Sequence, residues 1–306
     1  MVSCISISDA YRVEAQLLRT FVAVTRLGSF SAAAVELGYT QAAISQQIAA
    51  LESDLRVQLL NRRPVSPTEA GARLLEHAEE LLLRLDAARA DVTRMTQAPA
   101  ATLVVGATAL TGGSPALALA LAALRRRRPR LDVAVQVGPR RHVLTAVARG
   151  EFDLGLADGL TAPGDPLPEF STLTAVRISQ ASVVTVLPRD HPLAGRAGLP
   201  LSDLADARWI EAPDATSPLQ EIRRLAGVDG FRAAFRYDGS DVMTLIQLAA
   251  AGHGLTLLPE TALPPAGITS VRVASPRVVH RVELLHGTLR EGSPAAELAA
   301  LLAPRG

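Results

Sequence analysis

Lysine is absent: all 31 basic residues are arginine, and Asn61 is the only asparagine. With abundant alanine, that bias points to a GC-rich bacterial genome and says nothing of mechanism. Cysteine occurs once, as Cys4 in the leading tail. An internal disulfide and a cysteine-rich metal cluster are therefore excluded, and a reducing cytoplasm fits. The chain also lacks an excess of either charge. Its 31 basic residues against 30 acidic ones argue against a surface that coats polyanions broadly. No apolar run reaches the length of a membrane span, the Ala/Leu stretch 115–124 being too short. The opening MVSCISISDAYR has neither a basic start nor a long apolar core, so it does not read as a signal peptide, and a cytoplasmic protein with no membrane partner is expected. Signatures of catalysis are missing too. There is no HExxH, no GxSxG elbow and no phosphate loop, and Gly252-His253-Gly254 lacks the third glycine of a nucleotide motif. The six histidines (His77, His142, His191, His253, His280 and His286) show no ligand spacing. No catalytic residue, metal or cofactor is expected.

What is present concentrates between residues 13 and 71. GSFSAAAVELGYTQAAISQQIAALE reads as a helix, a tight turn at Gly38 and a second helix, the form of a helix-turn-helix. Ala32, Ala33, Ala34 and Leu37 give the first helix a face of small residues, and Gly38 supplies a left-handed end. Thr40 is placed to cap the second helix. Ile44, Ile48 and Leu51, at spacings of four and three, form its buried stripe. Gln41, Ala42, Ser45 and Gln46 are left as a polar, uncharged start able to meet base edges in a major groove together with Thr40. Residues 13–67 hold five arginines (19, 26, 56, 62 and 63) against Glu14, Glu36, Glu52 and Asp54. That is weakly basic for a nucleic-acid-binding unit. Phosphate contact must rest on few groups, with Arg62 and Arg63 the best placed, helped by the free N–H groups of the helix beginning at Thr40.

The run from Leu17 to Gly71 resembles the N-terminal domain of the LysR-type transcriptional regulators almost position by position, through FVAVTRLGSFSAAA, TQAAISQQIAALE, LLNRR and PTEAG. The family often carries Arg or Lys where this chain has Gln46 and Ala49. The stretch from Leu60 to Thr68 is also shorter than usual, implying a clipped wing. ARGEFDLGLADG, LPRDHPLA, DLADARWI and DVMTLIQLAAAGHGLTLLP follow in the order of the family's effector-binding part. The resemblance implies an N-terminal all-α winged helix-turn-helix with a long linker helix. It also implies a C-terminal α/β effector domain of two subdomains, like a periplasmic solute-binding protein.

After the wing, Thr68 can cap a helix running to about Gln97. Leu74, Ala78, Leu81, Leu85, Ala88, Val92 and Met95 repeat in it at alternating spacings of four and three, while Glu79, Glu80, Arg84, Asp86, Arg89 and Asp91 point outward. That is a heptad seam of the kind that pairs two helices. Leu74, Ala78, Leu81, Leu85, Ala88 and Val92 are the dimerisation candidates, and in the resembled family this helix joins two subunits. The expected division is a tail at 1–12, the winged helix-turn-helix at 13–67, the linker helix at 68–97, a hinge at 98–101 and the effector domain at 102–303. Subdomain I takes about 102–177 and 270–303 and subdomain II about 178–269, with crossings near 176–180 and 267–271. Strands are expected at 102–106, 131–137, 152–157, 181–187, 208–210, 233–237, 254–258 and 278–286, and helices at 114–128, 140–149, 217–226, 241–251 and 293–303.

In open α/β sheets ligands bind beyond the carboxyl ends of strands. Four segments meet that description: Thr108, Thr111 and Ser114; Gly138-Pro139-Arg140; Pro213 to Ser217, with Thr216 and Ser217; and Gly239-Ser240-Asp241. Any one of these hydroxyls alone reads as a helix cap; their convergence would make a cleft. Arg140, Arg141 and His142 opening a helix favour a small anionic effector there. The partners expected are double-stranded DNA, a small-molecule effector, a second copy in a homodimer or homotetramer, and RNA polymerase. Two other functions compete. One is a constitutive DNA-binding repressor or architectural protein without a ligand; the other, more remote, is an α/β enzyme.

Overall fold

The computed structural model describes residues 14–96, 102–168, 172–264 and 268–304; the expected tail 1–12 and hinge 98–101 lie outside them. The chain divides into two units after Asp86, within the helix that carries the heptad pattern.

The first unit opens with α1 (Ala15–Leu27), α2 (Phe30–Leu37) and α3 (Gln41–Leu55). Ser29 and Thr40 accept the backbone N–H groups of Ala32 and Ala43, each at 3.2 Å, and so fix where α2 and α3 begin. Gly38 ends α2 at φ 71, the left-handed conformation the turn demands. β1 (Leu60–Arg62) and β2 (Val65–Pro67) form a short antiparallel wing. Thr68 ties the wing to α4 (Glu69–Thr96): its hydroxyl donates to the Gln58 carbonyl at 2.8 Å and accepts from the Gly71 N–H at 3.1 Å. The core joins Leu18, Phe21 and Val24 of α1 to Ala33 and Ala34 of α2 and to Ile44, Ile48 and Leu51 of α3, the stripe expected from the spacing.

The heptad seam splits. Ala78 is fully buried and Leu74 half-buried against this unit's own core, so Ala78 offers no surface to a partner. The reason is physical: spacing of three and four seats a helix equally well on its own domain. Leu81 (53 % exposed), Ala88 and Val92 (61 % exposed) remain at the surface, and Leu85 is half-buried.

The second unit contains β3 (Thr102–Ala107), α5 (Ala109–Gly112), α6 (Pro115–Arg127), β4 (Asp132–Val137), α7 (Arg140–Arg149), β5 (Leu154–Thr161) and β6 (Thr174–Leu187). It continues through β7 (Leu199–Pro200), β8 (Arg208–Glu211), α8 (Leu219–Ala226), β9 (Arg232–Arg236), α9 (Val242–Ala250), β10 (Thr256–Pro259), β11 (Thr269–Ser275), β12 (Val279–His286) and α10 (Pro294–Leu302). One sheet runs β4-β3-β5-β12-β6-β11-β7, with β10 also on β6. β3, β4 and β5 are mutually parallel; β12 runs antiparallel to β5 and β6.

β6 carries the chain from one half to the other. Residues 174–182 pair with β12, whereas 183–187 pair with β10 and β11. The return lies between Ser275 and Val279, so both changes of partner fall several residues beyond 176–180 and 267–271. The difference arises because β6 is one continuous 14-residue strand whose first half is mostly exposed and carries no clean apolar alternation. The first half's core contains Leu103, Val105, Leu117, Leu154, Leu156 and Leu284. In the second half, Trp209 and Phe231, with ring centroids 5.3 Å apart, pack with Leu219, Ile222 and Leu257. β8 and β9 form a separate parallel pair, linked to the Leu255 region by a bridge from Trp209.

Candidate functional site

In the first unit the recognition face is the start of α3. Thr40, Gln41, Ala42 and Gln46 are exposed and Ser45 is half-buried, while Ile44 and Ile48 point inward. Thr40 accepts through its hydroxyl oxygen in the cap and keeps its O–H to donate, while Gln41 and Gln46 carry amides suited to base edges. Gln41 accepts from the Ser31 hydroxyl at 3.2 Å, an exposed contact between α2 and α3. Gln47 accepts from the buried Thr20 hydroxyl at 2.5 Å and pins α3 against α1.

The wing is held by Glu52. Its Oε1 accepts from the N–H groups of Leu59 and Leu60 at 2.9 and 3.2 Å, and its Oε2 meets Arg62 at 3.3 Å. Arg62 also lies over the Phe30 ring, 5.2 Å from its centroid. It therefore enters any phosphate contact already oriented and partly neutralised. Arg63 sits exposed in the turn between β1 and β2.

In the second unit, Thr108, Gly138, Arg140, Thr216 and Ser217 all line one cleft. Residues 108–140 come from the first half and 213–221 from the second, since the cleft is bounded by the ends of β3, β4 and β8. Its volume is about 50 Å³. A single water needs roughly 10–15 Å³ on that measure, so this conformation has room for a small ligand.

Three expected residues fall elsewhere. Thr111 is buried beneath the cleft, where its hydroxyl accepts from the Thr108 N–H at 2.9 Å and donates to the Leu156 carbonyl at 2.8 Å. It shapes the loop carrying Thr108 without lining the cleft. Ser114 caps α6 by accepting from Leu117 N–H. Ser240 is exposed and outside the lining; it follows β9, which pairs only with β8 among the described strands. Arg141 and His142 are exposed and outside it too; His142 stands edge-on to Phe152 instead. Successive residues on a helix point about 100° apart, so only one of the three basic side chains faces the cleft.

Two lining residues that the sequence did not single out are acids. Asp158, on β5, is 8 % exposed. One of its oxygens accepts from the Thr108 hydroxyl, and the other lies 2.7 Å from Nε2 of the buried His280. Glu221, in the first turn of α8, has its carboxyl pushed above the ordinary range chiefly by burial, with Asp158 adding repulsion; the Ser217 hydroxyl, Arg140 and Arg224 oppose the shift. Arg140 itself donates to the Pro168 carbonyl at 2.5 Å. The signal for Asp158 was an acid set within the apolar strand sequence LGLADGLT; nothing local distinguishes Glu221 from a surface glutamate. No group of three or more metal-ligating side chains occurs among the described residues, and no helix among them is long and apolar enough to cross a membrane.

Comparison with known proteins matches both units. Residues 15–72 match the family model described as the bacterial regulatory helix-turn-helix protein, lysR family. Residues 96–302 match the LysR substrate binding domain. The chain is 32 % identical to the Mycobacterium avium "Probable hydrogen peroxide-inducible genes activator" over 277 residues, 88 % of this chain and 86 % of that protein. Among solved structures it is similar to a cysteine mutant of Corynebacterium glutamicum OxyR, at 26 % identity and a TM-score of 0.51, covering 96 % of this chain and 92 % of the other. Full-length BenM shares the fold at 23 % identity and a TM-score of 0.52, covering 95 % of both.

Proposed function

This chain belongs to the LysR family of DNA-binding transcriptional regulators, whose C-terminal part is an effector-binding domain, and from that premise we propose how its residues divide the work. It is a regulator and not an enzyme. The start of α3 reads base edges through Gln41 and Gln46. The N–H groups at the start of that helix, with Arg62 and Arg63 on the wing, meet phosphates. Two chains associate through the exposed part of the α4 seam, Leu81, Leu85, Ala88 and Val92. A small molecule bound between the halves of the second unit, against Thr108, Gly138, Arg140, Thr216 and Ser217, changes how the regulator acts.

The observation that carries the DNA reading is the exposed, uncharged polar start of α3 above a fully buried Ile44–Ile48–Leu51 stripe. An amide side chain there suits bidentate contact with adenine. Gln41→Ala is expected to cost about 1–3 kcal/mol on the specific site and little on random DNA. Fluorescence anisotropy on both DNAs checks this; equal losses on the two would remove Gln41 from base reading.

The mycobacterial relative is named a probable activator of hydrogen peroxide-inducible genes, but a thiol-based response to peroxide has no cysteine to act on in the effector domain of this chain. Peroxide acts on thiolates, and no cysteine follows Cys4, so residues 102–303 offer none. Operator affinity is expected to be the same before and after hydrogen peroxide treatment. A reversible change in affinity that disappears in Cys4→Ser would contradict this.

A further inference from the structure

We infer that the cleft takes a small zwitterion, a ligand carrying a carboxylate and an ammonium group a few bonds apart, as an α-amino acid does. The inference rests on the reading of this cleft as the effector site. Its basis is the arrangement of charge. Arg140 enters from the first half of the unit, Glu221 from the second, and Asp158 lies on β5 of the first, all lining the same space. Glu221 is close enough to feel both of the others, attracted by Arg140 and repelled by Asp158.

A simple organic anion would find one arginine and three acids, and its attraction to Arg140 would be offset by repulsion from Asp158, Asp214 and Glu221. A simple amine would leave Arg140 facing a second cation. A zwitterion offers a charge to each kind of group, a carboxylate to the one arginine and an ammonium to the acids. Its carboxylate lies toward Arg140 and its ammonium toward Glu221 and Asp158, with the hydroxyls of Thr108 and Ser217 beside the acids they already serve. Such a ligand ties the two halves together, because its opposite charges engage Arg140 on one half and Glu221 on the other. The cleft's volume of about 50 Å³ limits it to a compact molecule. The buried pairing of Asp158 with His280, which itself lies outside the lining, holds the Asp158 carboxylate in place.

The test is calorimetry on the full-length protein with the twenty common α-amino acids. For any that binds, the same acid lacking the amine and the same amino acid as its methyl ester follow. At least one amino acid is expected to bind, with each truncated analogue weaker by about tenfold or more, the loss of one charge-assisted hydrogen bond. Glu221→Gln is expected to shrink the preference for the amine to about threefold or less, and Arg140→Ala to weaken amino acid and amine-free acid alike. The zwitterion inference is overturned if no amino acid binds at millimolar concentration, if the amine-free acids bind as tightly, or if esterification is without effect. A different pattern would overturn the cleft reading itself: an amino acid that binds with unchanged affinity to Arg140→Ala, Ser217→Ala and Glu221→Gln, all shown by thermal melts to be folded.

Discussion

Gly71→Ala is expected to disorganise the wing and abolish DNA binding, although the residue touches no DNA in this account. A Cβ at Gly71 would lie 2.0 Å from the Leu59 carbonyl oxygen, a backbone atom with no rotamer to move aside, and 3.3 Å from Pro67 Cβ. The contact can be relieved only by pushing the first turn of α4 away from the wing. That motion strains the Thr68 links to Gln58 and Gly71 and the Glu52 links to Leu59 and Leu60. Overpacking a tight site typically costs about 1–3 kcal/mol and more where no side chain can yield, so a loss of roughly 3 kcal/mol or more is expected. For a unit of this size that lowers the melting temperature by roughly 10 °C or more. A differential scan of the full-length protein checks this, and a wild-type transition together with wild-type operator affinity would show that the wing does not need this close approach.

Leu81→Asp should convert the protein to a monomer. With Ala78 buried in the first unit's core and Leu74 packed against it, the most exposed part of the seam begins at Leu81 and continues through Ala88 and Val92, with Leu85 half-buried between them. A carboxylate at its start would be buried against an apolar partner helix with nothing to neutralise it. Leu81 is about half exposed in the single chain, so the substitution leaves the fold of each unit intact and its effect falls on association. Sedimentation velocity should report a single-chain mass, and operator affinity should collapse because two half-sites are no longer bound at once. An unchanged oligomer would assign the seam to another role.

The parts of this molecule that were legible in its sequence are those fixed by local chemistry. The left-handed Gly38, the Thr40 cap and the Ile44–Ile48–Leu51 stripe act within one or two helical turns, and the structure places all three as the spacing required. The hidden parts depend on partners far along the chain. β7 is two residues long, and β11 owes its strand to β6, more than eighty residues earlier in the chain. β7 is too short to show a periodicity, and in β11 only Val271 and Val273 alternate around Arg272. The α4 seam shows the same limit in another form, since one repeat served two purposes and only burial separated Ala78 from Leu81. In the cleft, the residues at the ends of β3, β4 and β8 were recognisable because strand-to-helix junctions gather at one edge of a sheet. Ser240 obeyed the same rule but follows β9, which belongs to a separate pair. Asp158 and Glu221 were missed because an acid in a strand or a helix's first turn acquires meaning only once Arg140 is seen opposite.

Sequence reading by α3 is best probed by selecting genomic fragments with the full-length protein and footprinting those that are retained. A discrete, dyad-symmetric site is expected, its two protected half-sites about 10 base pairs apart or a multiple of that, one α3 to each major groove. Retention of fragments without sequence preference, or even protection along random DNA, would contradict it.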